Sequence, residues 1–149
     1  MSQQRPAETA INLQLKGLEI LHASCNVPEN PQVSMANFHF NINLDHKAEF
    51  SQNLLAVIVS VEVRSEDQQQ VFGALVLSNI FSIENIDTVV GIDPENGQLQ
   101  IPQVLAELLA TQSIATARGT LFGMFKGTFM HHAFLPIIDT RSFQPQPQQ

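Results

Sequence analysis

Alternating hydrophobic and polar residues predict strands in the first part of the chain. Residues 38–45 alternate without a break, which is typical of a strand buried on one face. Residues 54–64 are rich in β-branched side chains and place valine at alternate positions, whereas residues 71–83 are more continuously apolar. The short polar stretch 65–70 lies between these two segments and predicts a hairpin loop.

A further strand is predicted near the N-terminus, and its pattern changes phase. Apolar residues alternate over positions 11–15, but after Gly17 they continue at Leu18 and Ile20. A shift of this kind predicts a bulge or bend at the glycine, because an extra residue moves the following side chains to the other face.

A long helix is predicted after the strands. Residues 91–97 are rich in turn-forming residues, and Pro102 suits the first position of a helix. The apolar residues that fit its buried face are Val104, Leu105, Leu108, Leu109, Ala115, Phe122 and Phe125. Strands followed by one helix predict an α+β fold, with a four-stranded antiparallel sheet followed by a long helix packed on one face.

Small side chains fill the interior of this helix. Gly119, Gly123 and Gly127 recur at every fourth position, although a glycine inside a helix costs about 1 kcal/mol relative to alanine. Gly127 either extends this series or ends the helix. A stripe of small residues lets a second backbone approach closely, so it fits packing on the chain's own sheet or on another chain. The residues assigned to packing between chains are Ala115, Arg118, Gly119, Phe122 and Gly123.

The composition narrows the class of protein. Hydrophobic residues make up 44% and charged residues 14% of the 149 residues, against about 25% charged residues in a typical domain. The chain is too apolar to be intrinsically disordered. Its net charge of −7 excludes a non-specific nucleic-acid binder, which needs a basic surface. So few charges on an apolar chain indicate that another chain or a ligand covers part of the surface.

The length fits one domain, which we place at residues 11–140. A flexible N-terminus (1–10) and a disordered tail of glutamine and proline (141–149) are expected to flank it. The sequence shows neither the apolar core of a signal peptide nor an apolar stretch long enough to insert into a membrane. The expected compartment is therefore the cytoplasm.

The residues that could carry chemistry do not assemble into a motif. His131 and His132 are adjacent, and adjacent side chains on a strand point to opposite faces, so they are predicted to be poor partners for one metal ion. Cys25 has no base near it, which favours a buried or inert thiol over a nucleophile. Residues 93–97 resemble the start of a calcium loop but lack its closing glutamate, which favours a turn. We therefore expect no enzyme activity, no metal and no cofactor.

The order of elements and four short motifs resemble the SecB protein-export chaperones. Residues 80–83 (Ile-Phe-Ser-Ile) resemble the end of the family's fourth strand, and residues 117–118 resemble its Ala-Arg step in the helix. Residues 127–129 (Gly-Thr-Phe), with Pro136 seven residues after the phenylalanine, are similar to the family's Gly-Thr/Ser-Phe…Pro spacing. Residues 28–31 (Pro-Glu-Asn-Pro) are similar to its crossover segment. The resemblance covers most of the chain.

The resemblance implies a cytoplasmic chaperone that holds unfolded polypeptides for export without ATP. It also implies a homotetramer, built as a dimer of dimers, with helices packed between the dimers. Its clients would bind in apolar grooves near the crossover segment. The residues expected to line the groove are Val33, Met35, Phe38 and Phe40.

Two departures from the family pattern open an alternative. The second C-terminal helix of the family is largely missing here. The positions that match the acidic residues used for docking on the SecA motor are His22, Asn26 and Leu75, which puts SecA in doubt as a partner. The alternative is a SecB-like protein dedicated to one partner, for example an antitoxin. A small-ligand binder or an enzyme that uses the same groove has little support, because convergent polar groups are lacking.

Overall fold

Four long antiparallel strands form the sheet of this protein. The computed structural model describes residues 11–26 and 37–140. The strands are β1 (Leu13–Cys25), β2 (Phe38–Glu49), β3 (Leu54–Ser65) and β4 (Val71–Ile83). Their order across the sheet is β1-β4-β3-β2, so β1 and β2 form its two edges. The predicted antiparallel sheet is confirmed. The predicted crossing at 28–31 and the two terminal segments lie outside the described residues.

Shorter elements connect the sheet to the long helix. A 3-10 turn, Phe50–Gln52, joins β2 to β3. After β4 come a short helix, α1 (Ile86–Val89), and a small hairpin of β5 (Gly91–Ile92) and β6 (Leu99–Gln100). The long helix α2 (Gln103–Phe125) follows, so the predicted order of sheet and then helix is confirmed.

The long helix begins and ends near the residues that predicted its limits. Pro102 is the residue before its first turn, and the helix ends at Phe125. The Lys126 amide donates to the Phe122 carbonyl, and Gly127 then adopts a φ of 79°. Residues with a Cβ rarely adopt this left-handed conformation. Gly127 therefore ends the helix and does not extend the glycine series.

Two bulges in β1 keep its apolar side chains on one face. Against β4, the register shifts between Leu15 and Gly17, where the sequence predicted a bulge, and again between Ile20 and His22. The first shift offsets the change of phase in the sequence. As a result Leu18 and Ile20 lie on the same face as Leu15, the face on which α2 packs.

The main core lies between α2 and the central strands. Alternate side chains of β3 are almost fully buried there: Leu55, Val57, Val59, Val61 and Val63. The helix buries Leu105, Ala106, Leu109, Ala110, Ser113, Ile114, Ala117, Leu121 and Phe125. Several of these helix residues are small, which allows α2 to approach its own sheet closely.

The buried face predicted for the helix was partly wrong. Val104, Leu108, Ala115 and Phe122 are exposed in the structure. The helix is apolar around most of its circumference, so the apolar pattern alone did not distinguish the side that meets the sheet from the opposite side.

A buried asparagine joins the sheet to the helix by hydrogen bonds. Asn79 of β4 is fully buried on the helix-facing side. Its Nδ2 donates to the Val57 carbonyl at 3.2 Å, and its Oδ1 accepts from Thr116 Oγ1 of α2. Both polar atoms of the amide are therefore satisfied, as buried polar groups require.

We expect Asn79→Ala to lower the free energy of unfolding by about 2–3 kcal/mol, because it removes two hydrogen bonds and leaves a small cavity. Thr116→Val is the matched control. It keeps the bond to Val57 but leaves the buried Asn79 Oδ1 without a donor, so it should cost about 1–2 kcal/mol. Urea unfolding measures both. A loss near zero in Thr116→Val would show that the asparagine does not anchor the helix.

Candidate functional site

The core-facing side of β2 forms an apolar strip along one edge of the sheet. We define the β2 strip as Phe38, Phe40, Ile42 and Leu44. These four side chains pack against the main core but remain only half-buried, since α2 lies chiefly over β3 and β4. An edge strand with a half-covered apolar face can accept another polypeptide on that face.

A cluster of three phenylalanines fixes one end of the β2 strip. Phe72 is only 1% exposed, and its ring meets Phe38 edge to face with centroids 6.2 Å apart. Its ring also meets Phe129 edge to face at 5.6 Å. This arrangement is the one that aromatic rings prefer. Phe72 therefore positions Phe38 and connects the strip to the segment that follows α2.

The structure places half of the predicted groove residues in this strip. Phe38 and Phe40 belong to it, whereas Val33 and Met35 lie outside the described residues. The prediction omitted Ile42 and Leu44, although the alternation that marks the first two phenylalanines continues through both.

The backbone of β2 is also available for binding. Because β2 is an edge strand, its outer side pairs with no other strand within the described parts of the chain. Its 12 residues therefore present amide and carbonyl groups along one side. An extended peptide can pair with such an edge, and its alternate side chains then meet the face of the sheet.

A half-buried imidazole, that of His46, continues the row of side chains beyond the β2 strip. Within the described residues, His46 Nε2 is buried without a hydrogen-bond partner. Burial lowers the pKa of His46 below its ordinary value of 6.5, and the neighbouring Asp45 carboxylate opposes this with a smaller raising effect. The folded chain therefore favours the neutral imidazole.

The pKa of His46 predicts how stability depends on pH. The unfolded chain takes up this proton more readily, so the contribution of neutral His46 is fully present above about pH 6.5 and declines as the pH falls below it. In His46→Leu, the urea midpoint should change less between about pH 7.5 and about pH 5 than in the wild type. His22→Leu, at an exposed histidine, should keep the wild-type change. A His46→Leu profile as steep as the wild type would contradict the assignment.

Arg118 holds the segment that follows the long helix. Its Nε donates to the Leu135 carbonyl at 3.0 Å, and its Nη2 donates to the Pro136 carbonyl at 3.0 Å. The side chain was predicted to pack between chains, and the structure shows that it binds its own chain. The Ala-Arg step and the proline of the Gly-Thr-Phe…Pro pattern are thus in direct contact.

The other four residues assigned to packing between chains lie on the outer face of α2. Ala115, Gly119, Phe122 and Gly123 are exposed, and a Cβ added at either glycine would have no atom within 4 Å. These two glycines therefore do not serve packing on the chain's own sheet. The charged residues of α2 are Glu107 and Arg118, both half-buried, so its exposed positions carry no charge.

Exposed apolar side chains of β1 add to this uncovered surface. Leu15, Leu18 and Ile20 face the side on which α2 packs, yet each is about half exposed. We call these residues, together with the outer face of α2, the open apolar surface. It is too apolar to be typical of a chain that functions alone in water.

The positions compared with SecA-docking residues differ in their orientation. His22 and Asn26 are exposed, but Leu75 is fully buried under the helix and is not a docking residue. Its neighbours Ala74 and Val76 take the outward positions and are uncharged. Cys25, predicted to be buried or inert, is exposed.

The two adjacent histidines are not on a strand. His131 and His132 lie in a turn, and their ring centroids are 3.8 Å apart, so the predicted opposite orientation is wrong. Among the residues that the structure describes, no group of three or more histidine, cysteine, aspartate and glutamate side chains is placed to hold a metal ion.

Comparisons with known proteins identify the fold. No protein-family model and no curated protein matches the sequence. Among solved structures, the chain is similar to the Mycobacterium tuberculosis Rv1957 SecB-like chaperone in complex with a ChAD peptide from the Rv1956 HigA1 antitoxin. The TM-score is 0.56 at 14% identity, over 85% of this chain and 90% of that chain. The SecB-like fold inferred from the sequence is confirmed. No helix in the described residues could span a bilayer.

Proposed function

We propose that this chain, which has a SecB-like fold, is an ATP-independent holdase that binds unfolded polypeptides. The observation that carries the proposal is the β2 strip, where half-buried apolar side chains lie beside a free strand edge. The structurally similar protein is itself a chaperone in complex with a peptide. No catalytic step is needed for this activity, because burial of apolar client side chains supplies the binding free energy.

The geometry of β2 favours a particular mode of binding. A client segment in extended conformation pairs its backbone with the outer edge of β2, and its alternate side chains cover the β2 strip. Backbone pairing is indifferent to sequence, and aromatic surfaces with a neighbouring methionine accept varied side chains. Half-buried Met124 and Phe129 pack against the same core cluster as the strip, and Phe129 also contacts Phe72. This mode suits a chaperone with many clients.

Charge placed in the β2 strip tests the holdase proposal. We expect Phe40→Glu to raise the concentration needed to suppress aggregation of two unrelated unfolded proteins by about tenfold or more, because client side chains no longer meet an apolar surface. Asn41→Glu is the matched control. It adds the same charge one residue along, on the opposite face of the sheet, and should change the result by less than about twofold. Circular dichroism confirms that both variants fold. Equal effects of the two changes would overturn the proposal.

Peptides modified in their backbone test the pairing with β2. A bound peptide that carries N-methyl groups at alternate amides loses its donors on one side. The peptide methylated on the side that faces β2 should bind at least about tenfold more weakly than the same peptide methylated on the other side. Equal affinities for the two methylated peptides would exclude strand pairing but leave apolar binding possible.

A second candidate is a chaperone dedicated to one partner, for example an antitoxin, without docking on SecA. The complex of the similar structure with an antitoxin peptide supports it. The uncharged Ala74 and Val76 at the outward positions of β4 also support it. Protection of one native partner but not of unrelated unfolded proteins would favour this candidate. Capture of SecA by the chain would argue for the export role.

We further propose that the chain forms a homotetramer, a dimer of dimers, in the cytoplasm. The support is the part of the open apolar surface formed by Leu15, Leu18 and Ile20 of β1 and by Ala115, Gly119 and Gly123 of α2, which a second copy would remove from water. Phe122, near the end of α2, stacks on Phe134 and stays outside this contact. Light scattering after size exclusion should then give about four times the chain mass of 16.5 kDa. A stable monomer would contradict the assembly and leave the binding of clients to be tested separately.

A further inference from the structure

A groove opens where the long helix ends. It has a volume of about 530 Å³ and is open to solvent on one side. One wall is apolar, because the rings of Phe122 and Phe134 stack with centroids 6.3 Å apart and an angle of 18°. The other side carries Lys126, His131 and His132. Apolar and basic side chains thus face the same space.

Hydrogen bonds hold the side of the groove that carries Lys126, His131 and His132 in place. Thr128 Oγ1 donates to the Phe125 carbonyl at 2.7 Å and accepts from the Met130 amide at 3.1 Å. His131 Nδ1 lies 2.8 Å from the Thr128 carbonyl. A carbonyl oxygen only accepts, so Nδ1 carries the hydrogen, and Nε2 of the neutral His131 ring is an acceptor. The His132 ring rests against the His131 ring, and its nitrogens make no hydrogen bond within the described residues.

The charge of the groove is opposite to that of the protein. The chain has 14 acidic residues and a net charge of −7. None of the residues that line the groove is acidic, and Lys126 makes no ion pair within residues 11–26 and 37–140. A basic groove on an acidic protein attracts an anionic partner and gives it a preferred place to bind.

We infer that this groove binds acidic segments of client polypeptides, in which a carboxylate lies next to an aromatic or aliphatic side chain. The apolar side chain packs on the wall of Phe122 and Phe134. The carboxylate accepts hydrogen bonds from the Lys126 ammonium and from the ring N–H of His132. The inference rests on the proposed binding of polypeptides and adds a preference among clients, which the apolar β2 strip does not supply.

Two matched peptides test this preference. Both have the same apolar residues in the same order, and one carries aspartate and glutamate where the other carries asparagine and glutamine. At low salt the wild-type protein should bind the acidic peptide about five- to tenfold more tightly than the amide peptide. The difference should shrink as salt is added, because these charges are exposed to solvent.

Substitutions in the groove locate the preference. Lys126→Gln should reduce the ratio of the two affinities by about two- to fivefold. The triple variant Lys126→Gln, His131→Gln and His132→Gln should bring the two affinities together. Lys16→Gln is the matched control, because Lys16 is an exposed lysine of β1, at the edge of the sheet opposite to β2. It removes the same charge and should leave the ratio unchanged.

The outcomes separate this inference from the proposed function. Suppressed aggregation without a preference for the acidic peptide overturns the inference alone, as does an equal effect of Lys126→Gln and Lys16→Gln. A groove variant that changes the mass in light scattering but not the affinity ratio shows that a second copy occupies the groove, which also overturns the inference. Failure to suppress aggregation overturns the proposed function. Failure to bind either peptide overturns the inference, whether or not aggregation is suppressed.

Discussion

Replacing Phe72 by alanine is expected to lower the free energy of unfolding by about 3–5 kcal/mol, the largest loss of stability that we expect from a single residue of this chain. The Phe72 ring is almost fully buried and makes edge-to-face contacts with Phe38 and Phe129. Alanine leaves a cavity that two partly buried rings cannot fill without leaving their own positions. A loss of this size is a large part of the total stability of a domain, which is about 5–15 kcal/mol.

Urea unfolding of matched variants isolates the cause. Phe134→Ala removes the same side chain at a position where it is 57% exposed, and should cost less than about 1 kcal/mol. Phe72→Leu keeps most of the volume and loses the ring contacts, so it should fall between the two. Similar losses for Phe72→Ala and Phe134→Ala would show that burial at the end of the β2 strip does not stabilise the fold.

Replacing Gly119 by arginine is expected to break the proposed tetramer into smaller species. The single chain has room for the side chain, since no atom lies within 4 Å of a Cβ at this position. A helix from a second copy packed on the same face has no such room, and a buried guanidinium without a partner adds a large cost. Light scattering should report a lower mass. Asn43→Arg adds the same charge at an exposed position of β2 and should leave the mass unchanged.

Gly119→Ala, a smaller change at the same position, should stabilise the isolated chain and weaken the tetramer. In an isolated chain, Gly119→Ala should raise stability by about 1 kcal/mol, because alanine is the better helix former and meets no neighbour. In a tetramer that uses this stripe for close packing, the added methyl group separates the helices and weakens the assembly. Higher stability together with an unchanged tetramer would contradict a role for Gly119 between chains.

The sequence predicted the sheet well, because each long strand has its own pattern. The limits predicted for β4 match Val71–Ile83, and the break at Gly17 marks an observed bulge. The predicted β2 stopped at residue 45, whereas the strand continues to Glu49. Over residues 46–49 the alternation continues only at His46 and Ala48, and neither side chain is strongly apolar. The order of the four strands across the sheet follows from which edge strand pairs with which central strand.

The orientation of the helix was harder to predict from its residues. Apolar side chains surround α2, and the sheet covers only one side. Leu105 and Leu109 are buried and Val104 and Leu108 are exposed, although the four residues have the same character. Only the packing of the whole chain decides between the two faces. The face of α2 that stays exposed is informative, because Gly119, Gly123 and apolar side chains lie together on it.

Some features of the candidate site follow from the local sequence pattern, and others depend on contacts between residues far apart in the chain. Phe38 and Phe40 were predicted because they belong to a regular alternation. The bonds of Arg118 to Leu135 and Pro136 cross 17 and 18 residues, so no local pattern indicated the partner carbonyls. The two histidines were predicted from strand geometry. The structure has a turn there, held by local hydrogen bonds of Thr128 that the apolar pattern does not reveal.

A free edge strand such as β2 is also a site at which copies of this protein can pair with one another. Its outward side chains near the end of the strand are Asp45, Lys47 and Glu49, all exposed. If two copies paired these edges in parallel register, each charge would lie opposite an identical charge, which opposes fibril growth from the edge. A foreign strand without this series meets no such repulsion. The charges at one end of β2 therefore oppose pairing between copies in parallel register and leave the edge open to other chains.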